Sequence, residues 1–390
     1  MLSHEENKTV SSIVSSDSYA WKSQRAWVEI NLAALSNNIA QICKLLGAKT
    51  QFMAVVKADA YGHGAVSVAQ TALKAGASWL GVATVPEGIE LREAGIKAPI
   101  LVLGATYTPE QVEAIARWKL EATLCNCKQA LIFSDILETI NFDSALQVHL
   151  KLDTGMSRLG TLWQDCSEFV QLVDRLPHLN IQSVYSHLAT ADSPDRTVMD
   201  LQHQRFESAI ALLKDVGIEL PCLHLANSAG TLSDNSLHYD MVRVGLAIYG
   251  FYPSPHLRST IELQPVLEVK ARVTHVKTIE KGAGVSYGHT FVAGKQMRLA
   301  VVGIGYADGV PRKLSNKMQV LIRGVKVPQI GNITMDQIML DVSSIPDVEE
   351  GEIVTILGCE GAEQITAEDW STQLNTISWE ILCSFKHRLP

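Results

Sequence analysis

Between Arg25 and Gly245 the chain repeats one pattern eight times: a short apolar run, then a stretch whose apolar residues recur at helical spacing. The runs fall at 52–56, 79–83, 100–103, 121–124, 147–152, 182–187, 223–226 and 240–244. Separations of roughly 20 to 40 residues suit strand–helix units joined by short loops. Leu32, Leu35, Ile39, Ile42 and Leu46 share one face of a helix predicted over 32–46. The stretches 63–75, 110–118, 163–176 and 196–216 read the same way. Eight such units in about 220 residues is the size of a (β/α)8 TIM barrel. An open doubly wound sheet is the alternative, and it carries fewer repeats.

After Gly250 the texture changes. A bend rich in proline (Pro253, Pro255, Pro265) leads into expected strands at 266–278, 297–305, 318–322 and 353–357, with glycine turns between them. Helical signal returns only at 366–374. The expected organisation is an α/β chain with a flexible tail over 1–24, a barrel over 25–255 and a mainly β domain over 256–390. The tail is polar and lacks the apolar stretch of a secretory signal.

A net charge of -8 argues against a nucleic-acid partner, which needs a basic face. No run of about 18 apolar residues occurs, so no membrane span is expected. The seven cysteines are scattered, and Cys125 and Cys127 have no second pair at zinc-site spacing. Reduced thiols in a cytoplasmic protein without a metal site are the expectation.

Polar residues close several of the predicted strands. Lys57 ends the run Ala54-Val55-Val56, and the chain then turns through Gly62 and Gly64 toward a helix. Lys151 to Arg158 closes the fifth strand, Ser186-His187 the sixth, Asn227-Ser228 follows the seventh, and Arg243 closes the eighth. Parallel barrels carry their active sites at this end. Singly, each residue has a bland alternative: a solvated lysine, an ion pair for Arg158, a core histidine, a helix cap for Ser228, a salt bridge for Arg243. Together they put a lysine, two arginines, a histidine and an amide at one end of one barrel, which packing does not explain.

The segments 57–64, 151–160, 185–192, 227–228, 241–250, 285–288, 303–309 and 331–337 resemble alanine racemases, in order and over nearly the whole chain from Arg25. The resemblance implies a barrel that binds pyridoxal 5′-phosphate, a C-terminal β domain and a head-to-tail homodimer with shared active sites. It implies interconversion of L-alanine and D-alanine, with D-alanine supplied to peptidoglycan. It casts Lys57 as the residue that holds the cofactor and acts as base on one face of the substrate, and Tyr287 as base on the other. A lysine amine near pH 10.4 and a phenol near pH 10 are both poor bases at neutral pH, so each needs help from its surroundings. The family suggests a chain Arg243–His187–Tyr287 for the phenol.

The same resemblance sets Arg243 at the pyridine nitrogen. A guanidinium does not give up its proton, so the ring stays a moderate electron sink that suits racemisation over transamination. Tyr61, Ser228, Gly245 and Leu246 are implied at the phosphate, with Asn227, His187 and Trp379 also in the cofactor set. Arg158 and Met335 are implied at the substrate carboxylate, and Lys151, Asp192, Tyr306 and Asp336 in supporting positions. In many relatives the lysine matching Lys151 is carbamylated. Three residues depart from the family pattern: Trp379 stands where a tyrosine is usual, Thr334 where a cysteine is common, and Asn332 where an arginine is common. Trp379 keeps open a preference for serine or a broader substrate range. A non-catalytic pyridoxal phosphate-binding protein would have no use for Tyr287. A metal-dependent barrel hydrolase would need more ligands than His187 and Asp192.

Overall fold

The computed structural model describes residues 24–219, 222–385 and 388–390. The tail expected over 1–24 lies outside them up to residue 23. The chain divides into a unit of Ile30–Leu267 and a unit of Glu268–Pro390 together with residues 24–29.

In the first unit eight parallel strands follow one another: β1 (Gln51–Val55), β2 (Trp79–Val82), β3 (Ile100–Ala105), β4 (Glu121–Leu124), β5 (Leu146–Asp153), β6 (Leu179–Tyr185), β7 (Leu223–His224) and β8 (Met241–Val244). Their ladder runs β8-β1-β2-β3-β4-β5-β6-β7. Two backbone bonds at the remaining seam, Asp240 N–H to the Leu223 carbonyl and Arg243 N–H to the Ala226 carbonyl, each 3.0 Å, bring β8 back against β7. Helices alternate with the strands: α1 (Leu32–Leu45), α2 (Ala65–Ala75), α3 (Val85–Glu93), α4 (Pro109–Arg117), α5 (Cys127–Thr139), α6 (Cys166–Asp174), α7 (Thr197–Asp215) and α8 (Ser228–Ser233). Strands covered on both faces need apolar residues at successive positions, and Phe52–Val56 and Trp79–Val82 are buried throughout.

Helices α3 and α5 are not apparent from apolar spacing. Helix α3 buries Val85, Gly88 and Leu91. A methyl group at Gly88 would lie 2.8 Å from a Leu120 methyl, so the glycine serves close packing and leaves a gap in the apolar stripe. The signal that does mark α3 is at its start, where Thr84 and Glu87 form a reciprocal cap around Pro86.

The second unit is a mainly antiparallel sheet. It contains β9 (Leu267–Ile279), β10 (Met297–Val302), β11 (Gln319–Ile322), β12 (Val325–Pro328), β13 (Ile338–Asp341), β14 (Ile353–Glu360) and β15 (Glu363–Ile365) in the order β12-β11-β14-β9-β10-β13, with β15 on β14. The segment Ala26–Ile30 adds a strand beside β9, so residues expected to open the barrel belong to the sheet. Between β11 and β12 the chain reverses over Arg323 (φ 50) and Gly324 (φ 73), the left-handed pair a two-residue hairpin requires. Val285, Ala293, Met297, Leu299, Ile330 and Met339 pack a core under this sheet. Two helices, α9 (Ala367–Leu374) and α10 (Ser378–Leu382), close the chain. Among the described residues no helix is long and apolar enough to cross a membrane.

Candidate active site

Lys57 leaves β1 directly after Val56, whose N–H is held by the Gly81 carbonyl at 2.8 Å. The turn that follows is left-handed. Ala58, Asp59, Ala60 and Tyr61 have φ of 53, 52, 52 and 58° and ψ between 36 and 50°. The sequence suggests that glycines make this turn; they come only after it, at Gly62 (φ 82) and Gly64 (φ 84). Side chains from both sides hold the unusual backbone. Glu87 accepts the Ala58 N–H at 2.8 Å, and Asp59 accepts the Ala65 N–H at 2.7 Å to start α2. The Tyr61 carbonyl lies 3.0 Å from His63 Nδ1. Buried without countercharge, His63 has its pKa lowered to about 4 and is neutral.

This path carries Tyr61 to the end of β8. A methyl group at Gly245 would sit 2.6 Å from the Tyr61 hydroxyl oxygen, so only a glycine leaves the phenol its place. The Tyr61 ring lies 5.0 Å from that of Tyr249, whose hydroxyl donates to the Val55 carbonyl at 3.0 Å. Beside them Ser228 Oγ accepts the N–H groups of Gly245 at 3.0 Å and Ala247 at 3.5 Å. Leu246 stands buried between those two. The hydroxyls of Tyr61 and Ser228 thus gather beside the backbone of Gly245 and Leu246 at the end of β8, a set of groups suited to a phosphate. Asn227 is engaged elsewhere, capping α8 by accepting the Gly230 N–H and donating to the Leu188 carbonyl.

Arg243 is buried at the mouth of β8. One terminal nitrogen donates to the Ser186 carbonyl at 2.7 Å and lies 3.1 Å from His187 Nδ1. The other donates to His224 Nδ1 at 2.9 Å. Burial lowers its pKa to about 10, so it keeps its proton at neutral pH. Burial and the cations Arg243, Lys151, Arg158 and Lys57 hold His187 well below the usual histidine range, which leaves a ring nitrogen to accept from Arg243. The same field reaches Lys151, whose amine sits 4.3 Å over the Tyr185 ring. Burial first, then Arg243, brings its pKa down to about 7.

Arg158 is exposed on a loop shaped by Asp153, whose Oδ1 accepts the N–H groups of Gly155, Met156 and Ser157 at 2.8, 3.0 and 3.1 Å. Asp192 is exposed on the turn after β6. Lys57, Tyr61, His187, Ser228, Arg243, Gly245, Leu246, Lys151 and Arg158 therefore surround the C-terminal ends of β1 and β5–β8. Tyr185, His224 and Glu87 take part without having been singled out from the sequence. The tyrosine and the histidine stand within apolar runs, where polar side chains must find buried partners. That signal was available.

The remaining residues lie in the second unit. Tyr287 is 71% exposed on a turn between Ser286 (φ 61) and Gly288 (φ 71). Asn332 fixes that turn by donating to the Tyr287 carbonyl at 2.6 Å, and Ser286 Oγ donates to the Asn332 carbonyl at 2.7 Å. Met335, 53% exposed, borders the same shallow cleft. Tyr306 N–H bonds the Thr334 carbonyl, Asp336 pairs with Arg388 at 2.7 Å, and Trp379 is half-buried on α10.

Comparison with known proteins agrees over both units. Residues 30–253 match the profile of the alanine racemase N-terminal domain, and residues 266–390 that of the C-terminal domain. The chain is 71% identical to an alanine racemase of Nostoc sp. over 374 residues, covering 96% of this chain and 97% of that one. It is 60% identical to an alanine racemase of Synechocystis sp., covering 94% and 98%. The crystal structure of alanine racemase from Bacillus anthracis with bound L-Ala-P superposes with a TM-score of 0.88 at 35% identity, covering 94% of each chain.

Proposed function

The chain belongs to the alanine racemase family, and from that premise we propose how its residues interconvert L-alanine and D-alanine with pyridoxal phosphate as cofactor. One observation carries the reading: a lysine, a phosphate-sized set of donors and a buried arginine at one end of one barrel. The residues fit the cofactor. Lys57 would hold it covalently through its ε-amine. Tyr61, Ser228 and the N–H groups of Gly245 and Leu246 would hold its phosphate, with Asn227, His187 and Trp379 around it. Arg243, a donor that keeps its proton, suits the ring nitrogen. When bound, pyridoxal phosphate delocalises the charge left on the α-carbon after its proton is removed.

The chain's own residues do the rest. Arg158 and the Met335 N–H bind the carboxylate and orient the α-carbon. Lys57 Nζ takes or returns the proton on one face, and Tyr287 Oη on the other. His187, neutral and bonded to Arg243, would steady the phenol. Lys151, its pKa brought down to about 7 by burial and Arg243, gains access to the uncharged amine that adds carbon dioxide with loss of a proton, and it lies within the field of Arg158. Tyr306, Asp336 and Asp192 support these groups. The working enzyme is a homodimer in which Tyr287 of each chain completes the partner's barrel, located in the cytoplasm and feeding D-alanine to peptidoglycan synthesis.

Two experiments test this reading. Tyr287→Phe removes one of two bases, so racemisation falls by about a hundredfold or more. Exchange of the α-proton of D-alanine for deuterium persists through Lys57, and NMR in heavy water follows both. Equal loss of exchange from both enantiomers, with cofactor still bound, overturns the two-base assignment. Gly245→Ala pushes a methyl group into the Tyr61 hydroxyl, so cofactor affinity falls about tenfold or more, equal to about 1.4 kcal/mol. Titration of the apoprotein with pyridoxal phosphate measures it, and Tyr61→Phe in the same background recovers part of the loss.

A further inference from the structure

Arg243 does not end its hydrogen bonding at His224. His224 Nε2 lies 2.8 Å from Ser183 Oγ, Ser183 Oγ lies 2.6 Å from His149 Nδ1, and His149 Nε2 lies 2.7 Å from Glu121 Oε2. Each of β4 to β8 contributes one member, and the chain crosses the barrel interior from the site to the start of β4. His149, Ser183 and His224 are fully buried, and Glu121 is nearly so.

The ends of this relay fix its direction. A guanidinium only donates and a carboxylate only accepts. Arg243 donates a hydrogen bond to His224 Nδ1, so His224 carries its own proton on Nε2 and donates it in a hydrogen bond to Ser183 Oγ. Ser183 has one hydroxyl proton, and it goes to His149 Nδ1. His149 then carries its proton on Nε2 and gives it to Glu121. Every bond is made, and both rings hold the same tautomer. Burial and Arg243 keep His224 neutral, as this arrangement requires.

We infer that Glu121 is a positioning residue for the racemase site: as the acceptor that ends this relay, it fixes the tautomers of His149 and His224 and presents a ring lone pair to Arg243. Without that acceptor, the His149 N–H would be buried and unpaired. Moving the proton to His149 Nδ1 relieves this. The Ser183 hydroxyl must then turn to His224 Nε2, and a proton on His224 Nδ1 would face the donors of Arg243. Removing Glu121 sets the two ends of the relay against each other.

The test is nitrogen NMR of the apoprotein labelled in its histidine rings, which does not depend on the cofactor reading above. In the unaltered chain His149 and His224 show a protonated Nε2 and a bare Nδ1. Glu121→Leu moves both rings toward a mixture of tautomers, and Glu121→Gln, whose amide oxygen still accepts, restores them. In the loaded enzyme kcat falls about tenfold with Glu121→Leu, and KM for alanine holds within about twofold. A proton on His224 Nδ1 in the unaltered chain, or His224 signals unmoved by Glu121→Leu, overturns the inference. If Glu121→Leu does not fold, Ser183→Ala cuts the relay at its middle. His224 signals must then move, and unmoved signals overturn the inference equally.

Discussion

Lys57→Ala abolishes both the covalent cofactor and racemisation. The loss expected is roughly 10⁴-fold or more, the scale seen when a residue both forms a covalent bond and transfers protons. Strand β1 ends before Lys57, and the bonds that hold the following turn come from Glu87, Asp59 and His63. The substitution therefore removes the amine while leaving the barrel intact, and the melting temperature moves by no more than a few degrees. Borohydride reduction of the unaltered holoenzyme followed by peptide mapping places a pyridoxyl group on Lys57. A label on another lysine overturns the assignment.

The second large effect is a gain. Lys57→Ala and Tyr287→Ala chains are each inactive, and mixing them restores activity. If each site takes Lys57 from one chain and Tyr287 from its partner, a mixed dimer has one intact site and one doubly damaged site. Equal amounts reassort so that about half the dimers are mixed, and recovery approaches about a quarter of full activity. If both residues of a site came from one chain, no mixture would contain an intact site. Mass spectrometry verifies subunit exchange, and exchange without recovery rules out the shared site.

The barrel was legible because its strands are buried on both faces and must be apolar at successive positions. The structure departs from that pattern at two places. β7 is only Leu223–His224, and the seam beside it is made by loop backbone from Ala226 and Asp240. Helix α3 hides because Gly88, one of its buried residues, is apolar only by having no side chain. The site was legible in part. Lys57, His187, Ser228 and Arg243 follow from the rule that polar residues gather where parallel strands end. The relay did not follow, since Glu121, His149, Ser183 and His224 sit on four separate strands and only their register makes them neighbours. Tyr287 was the least legible of all: an exposed tyrosine on a glycine turn has no local property that marks it, and it came from resemblance alone.

The left-handed turn from Ala58 to Tyr61 weighs on the thermodynamics of the whole chain. Four successive residues with side chains in this conformation cost roughly 4 to 8 kcal/mol against the ordinary helix. That is comparable to the entire net stability of a typical domain, about 5 to 15 kcal/mol. A free peptide of this sequence would not adopt the turn, so its shape is imposed by the folded barrel and disappears with it. Glycine at Ala58 or Ala60 would relieve the native strain but would also widen the conformational freedom of the unfolded chain, which pulls the balance the other way. The segment that presents Lys57 is thus the place where the fold gives up stability to gain a fixed geometry, and the rest of the barrel must be stable enough to bear it.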